Sequence, residues 1–102
     1  VEVDPAQYGL TRDELVTVLH REGVLARKYF SPGCHAHEPY LSLYPDAGRE
    51  LPLTEALCQR VLLLPNGQRV TPDVVMRVVD LIRHAAQQAD DVRRALTLNP
   101  PD

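Results

Sequence analysis

The chain has 102 residues, of which 44% are hydrophobic, and this size fits one ordinary domain with a modest core. Its formal net charge of -3 gives no overall field that would attract nucleic acid or an anionic membrane surface. We therefore expect no nucleic acid and no membrane among its partners. Binding sites have to be argued from local groups of residues.

The cysteine content and the start of the chain bear on its cellular context. Cys34 and Cys58 are too few for the disulfide framework of a small secreted domain, so a cytoplasmic location is expected. The longest apolar run, Val61 to Leu64, is far shorter than the roughly 20 residues that span a bilayer, and no basic-then-apolar leader opens the chain. The sequence begins at Val1 without methionine, as a piece cut from a longer polypeptide would, although methionine removal would give the same start.

A capping box predicts the first helix. Thr11 is placed to cap the helix, and Glu14 is placed to reach back to it from three residues later. Leu10 before the cap and Leu15 after it form a candidate hydrophobic staple, and Gly23 is the expected stop. The predicted buried stripe consists of Leu15, Val16, Val18 and Leu19.

Two more helices are predicted further along the chain. Pro52 at a first helical position predicts a short helix to about Gln59. Thr71 and Pro72 begin the clearest helix, whose apolar residues keep helical spacing. Its predicted stripe contains Val75, Val78, Val79, Ile82 and Ala86, widened by Val74 and Leu81. Residues 90–98 are predicted to add a helical turn or two.

Three segments read as strands, and together they predict the fold class. They are the apolar-polar alternation of residues 1–3, the segment from Val24 to Phe30, and the apolar run from Val61 to Leu64. Each helix has only one apolar stripe to bury, which a sheet covered on one face would satisfy. We therefore predict an α+β fold, a two-layer sandwich of a small, mainly antiparallel sheet with two main helices on one face.

The segment from Cys34 to Glu38 holds the densest chemistry in the sequence. It contains every ligand type that zinc accepts, namely thiolate, imidazole and carboxylate, but these residues crowd one short loop, and no second cluster supplies the separated pair of a structural zinc site. A nucleophilic pair of Cys34 and His35 is disfavoured, because adjacent side chains rarely point at each other and no third group is identifiable. We expect no metal site and assign no catalytic residue.

The sequence offers no cofactor site of its own. Lys28 is the only lysine and lies in a predicted strand, so a Schiff-base lysine with its supporting residues is hard to build. No GxGxxG motif and no P-loop is present to hold phosphates at a helix N-terminus. No cofactor is expected for this chain alone.

Several motifs nevertheless occur in a specific order and spacing. They are ARKYFSPGCH at 26–35, EPY at 38–40, LPLTEAL at 51–57 and RVLLLP at 60–65. Together they closely resemble the C-terminal part of the DegT/DnrJ family of PLP-dependent sugar-nucleotide aminotransferases. The resemblance runs from about Val1 to His84. It implies that residues 1–89 are the small domain of the aminotransferase fold and that residues 90–102 are a tail, partly helical or frayed.

The resemblance also implies an activity. The most similar family members belong to bacterial deoxysugar pathways, including those of antibiotic biosynthesis, and aminate a nucleotide-linked 4-keto-6-deoxyhexose, usually with glutamate as the donor. Their larger domain binds PLP through a lysine and an aspartate, and their active sites lie at a homodimer interface. That larger domain is not matched in this sequence. The implied partners are therefore a large PLP-binding domain, a nucleotide sugar and a second copy of the complete enzyme, and the chain is expected to be inactive alone.

In the family the small domain closes over the active site, and the loop after its second strand approaches the substrate. The matching residues here, the candidates for substrate binding, are Arg27, Tyr29, Phe30, His35 and Tyr40. Arg27 is a candidate phosphate or backbone partner. The structural alternatives are that the three aromatic residues belong to the core and that His35 only braces the loop.

Two other readings of the function stay open. The first is a stand-alone binding or assembly module that keeps the domain's shape without activity and associates with an intact aminotransferase. The second is a small metal-binding domain that uses the loop from Cys34 to His37, which elemental analysis would test.

Overall fold

The computed structural model describes residues 1–29 and 31–100. In this part of the chain, seven α-helices are joined by turns and short extended segments. They are α1 (Pro5–Tyr8), α2 (Arg12–Arg21), α3 (Tyr40–Leu43), α4 (Ala47–Glu50), α5 (Pro52–Arg60), α6 (Pro72–Gln87) and α7 (Ala89–Leu98). A 3₁₀ turn, Cys34–Ala36, precedes α3.

Helix α2 forms as its capping box predicts. The Thr11 hydroxyl accepts a hydrogen bond from the Glu14 N–H at 3.1 Å, and the Glu14 carboxylate accepts one from the Thr11 N–H at 3.0 Å. Leu10 and Leu15 are both fully buried beside this cap. The predicted stripe is confirmed in Leu15, Val16 and Leu19, and Val18 is half-buried.

The helices predicted at Pro52 and Thr71 are also confirmed. Helix α5 ends at Arg60, one residue later than expected. Helix α6 begins with Pro72 in its first turn, and the Thr71 hydroxyl accepts a hydrogen bond from the Val74 N–H at 3.4 Å. Local signals of capping and backbone geometry were sufficient for both elements.

The predicted sheet is wrong. Of the described residues, 61% are helical, and their β-pairing is limited to two isolated antiparallel bridges, Glu2 with Val61 and Arg27 with Leu63. Arg27 and Leu63 exchange two backbone hydrogen bonds, of 2.9 and 2.8 Å. The three predicted strand segments therefore do lie side by side, but their contacts are too short to form a sheet. The two-layer α+β sandwich has to be replaced by a mainly helical fold.

A sheet does not form because backbone N–H groups that it would need are hydrogen-bonded at the ends of helices. The Val61 N–H donates to the Leu57 carbonyl in the last turn of α5, and the Val24 N–H donates to the Leu19 carbonyl at the end of α2. The Ala26 N–H donates to the Val24 carbonyl, which bends the chain within the predicted strand. Each N–H group used in this way is lost to a ladder between strands. Phe30, the last residue of that predicted strand, lies outside the described residues.

The core is built by α2 together with the extended segments. Its fully buried members are Val3, Leu15, Val16, Leu19, Ala26 and Leu62. Helix α6 was expected to pack on a sheet, and this is also wrong, since it contacts α2 and α7. Leu81 and Ile82 of α6 pack against the core, whereas Val74 and Val75 near its start remain 38% and 47% exposed.

Helix α7 is held against the start of the chain. The Arg93 guanidinium pairs with the Glu14 carboxylate at 3.3 Å and donates to the Gly9 carbonyl. Gly9 has a φ of +97°, which ends α1 and brings the chain close to Ala89 at the start of α7. Among the described residues, no helix combines the length and hydrophobicity needed to cross a membrane.

Candidate functional site

The segment between Gly33 and Val61 folds around an open cavity of about 610 Å³. The 3₁₀ turn, α3, α4 and α5 supply its walls. The lining residues are Gly33, Cys34, His35, Tyr40, Tyr44, Ala47, Leu51, Thr54, Leu57, Cys58 and Val61. Most of them are apolar or aromatic, as is usual for sites that bind small molecules. We call this the loop cavity.

One polar pair stands at the wall of the loop cavity. His35 Nε2 donates a hydrogen bond to the Glu55 carboxylate in the first turn of α5. The His35 side chain is 11% exposed and that of Glu55 is 46% exposed. This bond ties the loop after the second extended segment to a helix 20 residues later. A ring nitrogen that donates in this way braces the loop and is occupied before any substrate arrives.

Two glycines allow the loop and α5 to approach so closely. A methyl group at residue 33 would lie 2.8 Å from His35 Cε1 and 3.2 Å from Cys58 Sγ. At residue 48 it would lie 3.2 Å from a Glu55 carboxylate oxygen. The first contact is closer than packed carbon atoms tolerate, so a side chain at residue 33 would require the His35 ring to shift.

A second, smaller groove of about 320 Å³ adjoins the loop cavity. It is lined by Arg27, Lys28, Tyr29, Ser31, Pro32, Cys34 and His37. Cys34 lines both spaces and marks the boundary between them. Its lining includes two basic side chains, Arg27 and Lys28, whereas the loop cavity has none, and neither space has a carboxylate among its described lining residues. We call it the cationic groove.

The structure divides the predicted site residues between these two spaces. Arg27 and Tyr29 line the cationic groove, and His35 and Tyr40 line the loop cavity. Tyr29 and Tyr40 are 41% and 54% exposed, so neither is a core residue. Phe30 lies outside the described residues, and its role stays a prediction.

Arg12, which no sequence motif singles out, supports the end of α5 at the wall of the loop cavity. Arg12 is only 4% exposed, and its Nη1 donates to the carbonyls of Cys58 and Val61, both at 2.8 Å. These carbonyls lie at the C-terminal end of α5, where helical partners are lacking and positive charge is favoured. No local signal indicates this role, because the partners lie 46 and 49 residues away.

The Asp13 carboxylate completes this support. It accepts a hydrogen bond from Arg12 Nε at 2.7 Å and pairs with Lys28 Nζ at 3.3 Å. Partial burial alone would raise the pKa of Asp13, but the hydrogen bonds and charges of Arg12 and Lys28 together outweigh it and lower the pKa. The carboxylate therefore stays ionised at neutral pH and holds Lys28 at the edge of the cationic groove.

The metal reading gains no support from the described residues. Across residues 1–29 and 31–100, no group of three or more histidine, cysteine, aspartate or glutamate side chains is placed to hold a metal ion. His35 is bonded to Glu55, and His37 Nε2 donates to the Pro32 carbonyl at 3.2 Å. The loop histidines hold the loop in its fold.

Comparison with known proteins identifies the class of protein to which this fold and site belong. Residues 1–83 match the model of the DegT/DnrJ/EryC1/StrS aminotransferase family. The chain therefore belongs to this family, and the resemblance found in the sequence is confirmed. Members of the family generally depend on PLP.

Individual relatives show which part of a family member this chain resembles. The solved structure of DesI in the presence of its TDP-sugar product is 41% identical, with a TM-score of 0.75 over 92% of this chain and 23% of DesI. Protein Rv3402c of Mycobacterium tuberculosis and Protein Mb3436c of Mycobacterium bovis are each 33% identical over 69 residues. Those matches cover 66% of this chain and 16% of each relative. The chain thus corresponds to a small region of a sugar aminotransferase-related protein.

Proposed function

We propose that this chain is the C-terminal small domain of a PLP-dependent transaminase that acts on a nucleotide-linked 4-keto-6-deoxy sugar. The observation that carries the proposal is the similarity to DesI, which extends over 92% of the chain at 41% identity. DesI was solved with a TDP-sugar product, which favours a nucleotide sugar as the substrate here. The small domain would comprise residues 1–89, and residues 90–102 would form its C-terminal tail.

The described residues do not fit PLP held as a Schiff base. Lys28 is the only lysine in the chain, its side chain is 45% exposed, and its amino group pairs with Asp13 at the edge of the cationic groove. It does not line the loop cavity. We therefore assign cofactor binding and the chemical steps to a larger domain outside this sequence, and we propose that this chain is inactive by itself.

The proposed role of this chain is to complete and cover the active site. The loop cavity and the cationic groove would face the substrate, and the His35–Glu55 bond would hold the wall between them in place. Closing an apolar wall over a reaction site excludes water and strengthens the electrostatic contacts inside it. The partners in this proposal are the large PLP-binding domain, a nucleotide sugar and a second copy of the complete enzyme. A cytoplasmic setting in a deoxysugar or antibiotic pathway is part of the same proposal.

Exposed apolar side chains around the loop cavity support a covered surface. Leu43, Tyr44 and Leu53 are 64%, 65% and 80% exposed. Neighbouring apolar residues exposed to this extent are typical of surfaces that contact another protein unit. A larger domain packed on this side would bury them.

The proposal is tested on the native polypeptide in its source cells. Antibody detection and intact-mass analysis should find a product several times heavier than 11.4 kDa. The purified product should show PLP absorbance and should convert a TDP-linked 4-keto-6-deoxyhexose to the amino sugar with glutamate as donor. A native product of about 11.4 kDa without PLP would contradict the proposal and favour the stand-alone module.

A further inference from the structure

We propose that Cys34 and Cys58 are a modification site, a pair that forms a reversible disulfide in the presence of a peroxide and ties the loop to α5 across the loop cavity. They are the two cysteines of the sequence, and both line the loop cavity. Cys34 begins the 3₁₀ turn, and Cys58 lies near the end of α5. The site would exist whether or not the chain serves an aminotransferase.

The Cys58 sulfur lies against the loop directly beside Cys34. A methyl carbon at residue 33 would be 3.2 Å from Cys58 Sγ, so the sulfur packs against the residue that precedes Cys34. Cys34 follows about 3.8 Å further along the Cα trace. Disulfides join residues whose Cα atoms are about 4.4 to 6.8 Å apart. A rotation of the Cys34 side chain with a small shift of the 3₁₀ turn would therefore bring the two sulfurs together.

The loop and α5 are in contact on both sides of Cys34. Gly33 lies against Cys58, and His35 is hydrogen-bonded to Glu55. Glu55 and Cys58 are three residues apart in α5, so they share one face of the helix. Cys34 lies between the two loop residues that meet this face. The fold thus holds Cys34 beside the helix face that carries the second thiol.

Contacts also hold the helix side of the pair in place. The Arg12 guanidinium donates to the carbonyls of Cys58 and Val61, both at 2.8 Å. On the loop side, Gly33 has no side chain that would separate the Cys58 sulfur from the turn. The movement needed to form the bond therefore falls on Cys34 and its turn.

The two thiols differ in exposure, which gives them different parts in the reaction. Cys34 is exposed, whereas Cys58 is half-buried. In redox-sensing pairs an accessible cysteine is oxidised first, and a second cysteine nearby resolves it. Cys34 would be the thiol that meets the peroxide, and Cys58 would be the resolving thiol.

The reaction balances with hydrogen peroxide as the oxidant. The Cys34 thiolate attacks one peroxide oxygen, the O–O bond breaks, and Cys34 becomes a sulfenic acid as the first water leaves. The Cys58 thiolate then attacks the Cys34 sulfur, the S–S bond forms, and the hydroxide that leaves takes up a proton to become the second water. The two thiols lose two electrons and the peroxide gains them. A dithiol reductant reverses the bond by thiol–disulfide exchange.

The first test treats the native polypeptide with hydrogen peroxide, blocks the remaining thiols with iodoacetamide and digests it without reduction. Trypsin cuts after Arg49, which places Cys34 on residues 29–49 and Cys58 on residues 50–60. The two peptides should appear as one linked species, about 2 Da lighter than their sum, and dithiothreitol should separate them. Stable addition of oxygen to Cys34 with the two peptides unlinked would overturn the proposal.

Isotope labelling shows whether the bond lies within one chain. An equal mixture of unlabelled and isotope-labelled polypeptide is oxidised and digested in the same way. The linked peptides should be wholly light or wholly heavy. Mixed pairs in the proportion expected at random would place the bond between copies and refute the intramolecular site.

The unmodified protein also tests whether the fold brings the thiols together. In a glutathione redox buffer, the equilibrium fraction of disulfide gives the effective concentration of one thiol at the other. This concentration should be about tenfold or more higher in the native protein than in concentrated urea. Equal values in the two conditions would contradict the proposal, and this measurement needs no variant that could fail to fold.

Variants assign the two parts of the reaction. Cys58→Ser removes the resolving thiol, so labelling of the Cys34 sulfenic acid by dimedone should rise severalfold after peroxide treatment. The matched control adds Gln59→Cys to Cys58→Ser, which moves the thiol to an exposed neighbouring position of α5. It should label as strongly as Cys58→Ser alone, because the new thiol lies on a different side of the helix. Dimedone labelling of Cys58→Ser no greater than that of the wild type would overturn the assignment.

Discussion

Helix α2 and helix α5 are both short and amphipathic, yet the chain covers their apolar faces very differently. In α2, Leu15 and Leu19 are at most 1% exposed, and they form the centre of the core. In α5, Leu53 and Leu57 remain 80% and 49% exposed beside the loop cavity. The chain thus has one well-packed part, around α2, and one part between Gly33 and Val61 that offers apolar surface outward. Stability should depend on the first, and contacts with other molecules on the second.

The largest expected effect comes from truncating one leucine in each part. Leu19→Ala should reduce the free energy of unfolding by about 2 to 5 kcal/mol, because it leaves a cavity in the core. Leu53→Ala should change it by less than about 0.5 kcal/mol, as exposed substitutions usually do. Urea unfolding followed by circular dichroism measures both. Similar losses in the two variants would show that α5 is covered within the chain, contrary to the comparison.

A smaller loss of stability is expected at Arg12, which joins the well-packed part around α2 to the end of α5. Arg12→Met keeps an apolar side chain of similar length but removes the donors to the Cys58 and Val61 carbonyls. The expected loss is about 2 kcal/mol, the size of hydrogen bonds to a charged group at a partly buried site. Hydrogen exchange should also increase in the last turn of α5.

The matched control for Arg12 is Arg77→Met, which alters an exposed arginine of α6. It should leave the unfolding free energy within about 0.5 kcal/mol of the wild type and the exchange rates of α5 unchanged. A loss in Arg12→Met without faster exchange in α5 would mean that Arg12 acts through the core and does not cap this helix.

The smallest expected effect is the dependence of stability on pH through Glu14, which pairs with Arg93 of α7. Burial alone would raise the pKa of Glu14, but the Thr11 hydrogen bonds and Arg93 together outweigh it and lower the pKa. A pKa lowered on folding adds stability above the unfolded value of about 4.3, and this is lost as pH falls through the folded pKa. Glu14→Gln should therefore be less stable than the wild type at pH 7, and the difference should shrink below about pH 4.

Urea midpoints measured between pH 7 and pH 3 check this dependence. Glu22→Gln is the control, because Glu22 follows α2 and its exposed side chain takes no part in the capping box. A difference between wild type and Glu14→Gln that stays constant with pH would show that the stabilisation comes from side-chain packing and not from the ionised carboxylate.

The sequence was a good guide where the determining contacts are local. The capping box of α2, the proline starts of α5 and α6, and the apolar stripe of α2 all involve residues within one or two helical turns. The sheet prediction failed because Val24 and Val61, which read as strand residues, donate their N–H groups to the ends of α2 and α5. Strand propensity cannot reveal that these N–H groups are hydrogen-bonded to carbonyls at a nearby helix end.

The candidate site was predictable only in part, for the same reason. The family motifs placed Arg27, Tyr29, His35 and Tyr40 on the surfaces of the two cavities. The partner of His35 is Glu55, 20 residues away, and the partners of Arg12 are more distant still. Such pairs depend on how the helices pack, and a single sequence carries no direct signal of that packing.

The shortness of the paired segments has a consequence for how this chain meets other molecules. An unpaired strand edge recruits further strands, which leads to strand exchange between copies or to fibrils. Here the outer segments, at Glu2 and Arg27, each form a single bridge to the middle segment and then turn into helices or bends. An added strand would find too few free backbone groups in register. Association of the described part is therefore expected through side-chain packing on the exposed leucines and tyrosines, which favours a defined partner over open-ended polymerisation.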